Sequence, residues 1–227
     1  MKLPFEHGFL GNIQNHNNRK NNTAITPWQG LFNDTLIIVA LCNPITRLYR
    51  YYHRQMALAA RTRSAVDFHQ RVYSAIAHIF NCTKHYSDKH ACLFSREWLP
   101  ARDTASNETR LMISQLQQGL YGFRVRHWFK TRPRSSFLFI RTEDYQHDAQ
   151  HVTQQLHNFL DVQSLPDDVN ASDRDARRQD TDNDIGSAML DHTHHLLDSF
   201  YTLSNKRLAQ LLKQPHFAFK SYHLHRT

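Results

Sequence analysis

The 227-residue chain has only six glycines, and neither a Gly-x-x-x-x-Gly-Lys nor a Lys-x-Gly-Thr run occurs in it. A glycine-loop phosphate cradle is therefore absent from this stretch of sequence. Cysteine is scarce, at three residues, with no second Cys pair and no finger spacing, so zinc or another metal is not expected. Linkers rich in Pro or Gly/Ser are missing. Residues 26–222 accordingly read as one globular domain behind a loose, polar lead-in, residues 1–25, with six Asn between Asn12 and Asn22. Met1–Gly11 holds no apolar run of the length a signal peptide or membrane anchor needs. Either the protein is not secreted or the sequence is a fragment of a longer one, with any anchor upstream. No helix-turn-helix, finger or aromatic sheet motif is present, so a nucleic-acid partner is not expected.

Acidic residues are missing from two long stretches, Asp34 to Asp67 and Arg124 to Glu143. The net charge is +8 with His neutral, and seventeen histidines add to it in mild acid. Such a balance suits anionic partners: nucleotides, sulfated or carboxylated glycans, nucleic acid or acidic lipid.

The central stretch is Leu36–His53. Six apolar residues, Leu36 to Leu41, predict a buried strand. Asn43 suits a helix N-cap and Pro44 the first helical position. A strand that runs straight into a helix start aims unpaired N–H groups at one spot, which favours a phosphate. Arg47 and Arg50 lie three apart, on one helix face near that end. The same residues also read as a plain strand–turn–helix with solvated arginines. The helix is expected to run to about Thr62.

A second helix is expected from Ser64, with Phe68, Val72, Ile76 and Ile79 as core. Residues 81–105 read as irregular, and Cys82 and Cys92, ten apart, can close a disulfide in an oxidising compartment. Asn107 to Lys130 reads as one helix interrupted by Gly119 and Gly122, through close packing or a bend. Arg124, Arg126 and Lys130 make it basic; an acidic polysaccharide could lie there, or the stripe is a solvated helix end. Ser136–Arg141 predicts a second buried strand, ended by Thr142–Tyr145, with a helix through Val152, Leu156, Phe159 and Leu160. Strand–helix repeated with long crossovers implies an α/β fold, a parallel sheet flanked by helices. Ligands of such sheets bind beyond the strands' carboxyl ends, where Cys42–Arg50 and Arg141–Tyr145 converge. Residues 161–184, with eight Asp plus Arg174, Arg177 and Arg178, read as a surface loop. Met189–Leu212 reads as two short helices, the second starting near Ser204. His192, His194 and His195 do not share one helix face and carry no metal motif. Five Asn-x-Ser/Thr sites, at Asn21, Asn33, Asn81, Asn107 and Asn170, favour a secretory-pathway lumen and a glycoprotein.

Cys42-Asn43-Pro44-Ile45-Thr46-Arg47-Leu48-Tyr49-Arg50-Tyr51-Tyr52 resembles the 3'-phosphate-binding element of sulfotransferases that use 3'-phosphoadenosine 5'-phosphosulfate. Cys42 stands where that family has its first Arg, and Arg50 where it has Ser. Further pieces, in family order, are Phe68-His69, Asn81-Cys82 with Ala91-Cys92, Gly119-Leu120-Tyr121 with Trp128, Phe137–Tyr145, Phe159–Val162, Phe200-Tyr201 with Asn205–Leu212, and Phe217–Lys220. Over residues 27–220 the chain is similar to Golgi carbohydrate sulfotransferases. The resemblance implies the sulfotransferase (P-loop-like) fold, truncated at its N-terminus and lacking the loop around the 5'-phosphosulfate. It implies sulfuryl transfer to a hydroxyl of a sulfated, N-acetylgalactosamine-containing glycosaminoglycan of chondroitin or dermatan sulfate type. It places the full-length form in the Golgi lumen or membrane. The nucleotide would be held by Asn43, Arg47, Arg50, Arg177 and Arg178, and the glycan by Arg124, Arg126 and Lys130; no catalytic base is assigned. The alternatives are an inactive relative that only binds anionic glycan, and a fragment of a longer chain.

Overall fold

The computed structural model describes residues 35–59, 64–85, 92–93, 106–163 and 189–219. The lead-in 1–25, the segment around Trp28, most of the Asp-rich stretch and three of the five Asn-x-Ser/Thr sites, at Asn21, Asn33 and Asn170, lie outside those residues. The chain forms two compact units, one from 44–123 with 187–227 and one from 19–43 with 124–186.

The second unit holds the sheet. Strand β1, Ile37–Leu41, pairs in parallel with β2, Phe137–Arg141, in the register Ile37↔Phe137 to Leu41↔Arg141. The first run is a strand but is not buried on both faces. Leu36 is 45% and Ile38 43% exposed, because the sheet has two strands among the described residues and nothing described covers that side. Trp128 and Phe129 stack on the other strand, with ring centroids 6.2 and 5.6 Å from Phe137. After β2 the chain turns at once into a short helix, Thr142–His147, and a longer one, Ala149–Leu160, whose Asp148 cap accepts from the His151 N–H at 3.0 Å.

The first unit is helical. Helices α1 (Pro44–Leu58), α2 (Ala65–His85), α3 (Asn107–Gln118), the opening turn of α4 (Tyr121–Thr131), and α7 (Asp191–Leu212) bury Leu48, Tyr52, Phe68, Leu116, Phe200, Tyr201 and Leu208; the helices after β2 are α5 and α6. Helix α1 stops short of Thr62. Its Tyr52 hydroxyl lies 2.8 Å from Asp67 Oδ2 and 2.9 Å from the Ser64 carbonyl, so α1 grips the start of α2. Ser64 caps α2 as expected, accepting from the Asp67 N–H.

Three further boundaries differ from the sequence reading. Helix α2 runs on to His85, so Cys82 is helical rather than irregular. Asn107–Lys130 is two helices, parted at Gly119-Leu120. Where two short helices are expected between Met189 and Leu212 there is one, Asp191–Leu212; Ser204, which resembles a cap in sequence, is wholly buried mid-helix and accepts the Gly122 N–H at 3.1 Å. No helix among the described residues is long and apolar enough to cross a membrane.

Cys82 and Cys92 form a disulfide, with Cα atoms 5.8 Å apart. Gln117 Nε2 donates to the Cys92 carbonyl, which ties the closed loop to α3. Cys82→Ser with Cys92→Ser should destabilise the protein by roughly 2 kcal/mol, because a loop this short loses modest chain entropy when cross-linked. Parallel urea melts of the oxidised and double-Ser proteins check it; coincident curves would remove the disulfide from the stability account.

Candidate functional site

Leu41 and Arg141 are the last paired residues of the sheet, and both chains continue past its carboxyl edge. Two residues on stand Asn43 and Glu143. The Asn43 backbone N–H donates to Glu143 Oε1 at 2.6 Å. Glu143 Oε2 lies 3.8 Å from Arg141 Nε, and Arg141 Nη1 lies 3.6 Å from Asp144 Oδ1. The carboxyl edge thus carries a compact cluster of one guanidinium and two carboxylates, built on the turn from β2 into α5. Asn43 leads directly into Pro44, the first residue of α1.

Arg47 and Arg50 of α1 differ. Arg47 donates from Nη1 to Gln115 Oε1 at 2.9 Å and from Nη2 to the Gln115 carbonyl, across to α3. It also acts on the Tyr201 hydroxyl. Burial pushes that hydroxyl far above its usual range, and Arg47 pulls the other way. Arg50 makes no comparable bond among the described residues: its Nε is buried and without a hydrogen-bond partner there, as is the Nε of Arg47. A buried donor of this kind can take an acceptor. Cys42 is half-buried and outside the disulfide.

Arg124, Arg126 and Lys130 lie on α4. At about 100° per residue Arg126 and Lys130 share a face and Arg124 points the opposite way, so the three do not form one stripe. Arg177 and Arg178 lie outside the described residues. His192 of α7 packs edge-on against His69 of α2, ring centroids 4.2 Å apart, and Thr193 Oγ1 is 2.9 Å from His69 Nδ1. Desolvation lowers the His69 pKa, and His192 beside it lowers it further. Among the described residues no group of three His, Cys, Asp or Glu is placed to hold a metal ion.

Sequence reasoning missed Glu143 and Gln115, which meet their partners across 100 and 68 residues of chain. A signal for Glu143 exists: an acid stands two residues past the end of a strand whose parallel partner enters a helix at the same offset.

The parallel pair of strands and the helices that follow each of them stand together with a family match. The description "Sulfotransferase domain" fits residues 12–185. The chain belongs to the sulfotransferase family. Its α/β fold, mostly helical with a parallel sheet, agrees with that membership. This sulfotransferase-family chain is 31% identical over 189 residues to carbohydrate sulfotransferase 15 of Homo sapiens, covering 82% of this chain and 31% of the relative. The Mus musculus protein of the same name gives the same identity and coverage. Carbohydrate sulfotransferase 15 of Nototodarus sloanii is 26% identical over 156 residues, covering 67% of this chain and 91% of that one. The chain therefore spans 31% of the length of the mammalian relatives it matches. No solved structure matches it.

Proposed function

We propose that this chain is the 3'-phosphate-binding portion of a carbohydrate sulfotransferase that takes 3'-phosphoadenosine 5'-phosphosulfate as donor. The observation that carries the reading is Arg50 on α1, about two turns into the helix that Pro44 opens, whose buried Nε has no hydrogen-bond partner among the described residues. A phosphate at this helix start would gain the dipole of α1 and a charge-assisted hydrogen bond from Arg50. Asn43 precedes Pro44 at the helix start, Arg47 ties α1 to α3 through Gln115, and Arg177 and Arg178 add positive charge in sequence. The nucleotide, when bound, supplies the activated sulfuryl group. The acceptor is a hydroxyl of a sulfated, N-acetylgalactosamine-containing glycosaminoglycan of chondroitin or dermatan sulfate type, met by Arg126 and Lys130 with Arg124 nearby in sequence. The names of the relatives support a carbohydrate acceptor. The compartment is the Golgi lumen, in keeping with the disulfide and with exposed acceptor asparagines at Asn81 and Asn107.

Adenosine 3',5'-bisphosphate at about a hundred times its Kd should stabilise the protein by about 2.7 kcal/mol, read as a rise in Tm. Adenosine 5'-monophosphate should give a markedly smaller rise, and Arg50→Ala should abolish most of the difference between the two. Equal shifts from both nucleotides, or none from either, would sink the reading.

A second reading rests on Cys42 and Arg50, which stand where the resembled element has Arg and Ser. It holds that the chain binds anionic glycan without transferring sulfate. It requires salt-sensitive retention on chondroitin sulfate with no transfer of labelled sulfate.

A further inference from the structure

Parallel strands lose their ladder at the sheet's end, and the N–H groups beyond it need new acceptors. Asn43 lies two residues past Leu41, and Glu143 two residues past Arg141, so the register itself brings them side by side. The Glu143 carboxylate takes the Asn43 N–H at 2.6 Å and so adds one side-chain rung to the sheet, across 100 residues of sequence. A negative charge beside a phosphate site is unfavourable unless something offsets it. Arg141 supplies the offset, with its Nε 3.8 Å from the other Glu143 oxygen. Glu143 Oε2 is buried and makes no hydrogen bond among the described residues, and its nearest cation is Arg141.

We infer that Glu143 is a positioning residue for nucleotide binding: it fixes the backbone of Asn43, the residue before Pro44. The inference rests on the functional reading above. The group acts as an acceptor, not as a charge, so Gln should serve nearly as well as Glu. Asp144, one residue on, pairs with Arg141.

The test uses the full chain as wild type, Glu143→Gln and Glu143→Ala, with adenosine 3',5'-bisphosphate as probe. Calorimetric titration should show Kd raised about tenfold in Glu143→Ala, the scale of one lost hydrogen bond, and nearly restored in Glu143→Gln. Hydrogen exchange at the Asn43 amide, without nucleotide, should be slow in wild type and Glu143→Gln and at least about tenfold faster in Glu143→Ala. Unchanged Asn43 exchange in Glu143→Ala overturns the rung. Faster exchange with unchanged Kd overturns the positioning role, as does failure of Gln to rescue. A wild type that protects Asn43 yet binds no nucleotide refutes the functional reading and reduces Glu143 to a structural contact. The exchange arm tells that failure apart from failure of the rung.

Discussion

Gly122→Ala should abolish folding of the helical unit or lower its stability by about 4 kcal/mol, beyond the usual range for overpacking. A Cβ there would lie 2.2 Å from the Ser204 carbonyl oxygen, 2.9 Å from the Leu208 nitrogen and 3.1 Å from the Ser204 carbonyl carbon. All three atoms are backbone of α7, and Ser204 and Leu208 are fully buried, so nothing nearby can swing aside. The Gly122 N–H bond to Ser204 Oγ would be lost as the helices part. In a chain of this size the Tm should fall by on the order of 10 °C or more. Gly119→Ala is the internal comparison. There the new methyl meets the Tyr201 ring at 2.8–2.9 Å, a side chain rather than a backbone. Tyr201 is itself buried and donates to the Leu116 carbonyl at 3.2 Å, so the expected loss is smaller, about 2 kcal/mol. Circular dichroism melts of both variants check the order. A Gly122→Ala protein that melts within about 2 °C of wild type would contradict the interlock of α4 with α7.

Arg47→Ala should cost about 3 kcal/mol, since two charge-assisted bonds to Gln115 disappear and leave acceptors on α3 unmatched. The loss should be nearly independent of pH between about 6 and 9. The Tyr201 hydroxyl next to it is held well above its ordinary pKa by burial, so it stays protonated throughout that window, and removing Arg47 pushes it higher still. Arg47→Met, which keeps the alkyl stem, should recover part of the loss through packing alone. Urea unfolding at several pH values measures both effects; a wild-type midpoint in Arg47→Ala would deny the guanidinium its place between α1 and α3. The same change lowers the melting temperature whether or not a nucleotide binds. Affinity in this variant must therefore be read by titration well below the melt.

Both strands, the parallel topology and the helix starts at Pro44 and Ser64 were legible because each is announced within a few residues. An apolar run, a proline and a capping serine act locally. The errors fall where a local signal had a distant cause. Close packing at Gly119 and Gly122 is legible in the sequence, but not the break between two helices or the partners Tyr201 and Ser204 of α7. Ser204 looks like a cap because a serine in a helix usually competes for backbone, but here its hydroxyl serves another helix. The bond of Arg47 to Gln115, 68 residues away, leaves no trace in its spacing to Arg50. The sequence brings Arg141–Tyr145 to the edge where Cys42–Arg50 begins, but nothing near Glu143 singles it out as the partner of Asn43.

The outward row of β1, Leu36, Ile38 and Ala40, has a practical cost at the bench. Among the described residues nothing lies over that row, and an uncovered apolar strand face favours self-association. Ile38→Lys would set a charge in the middle of it and is the change to make if the purified chain aggregates.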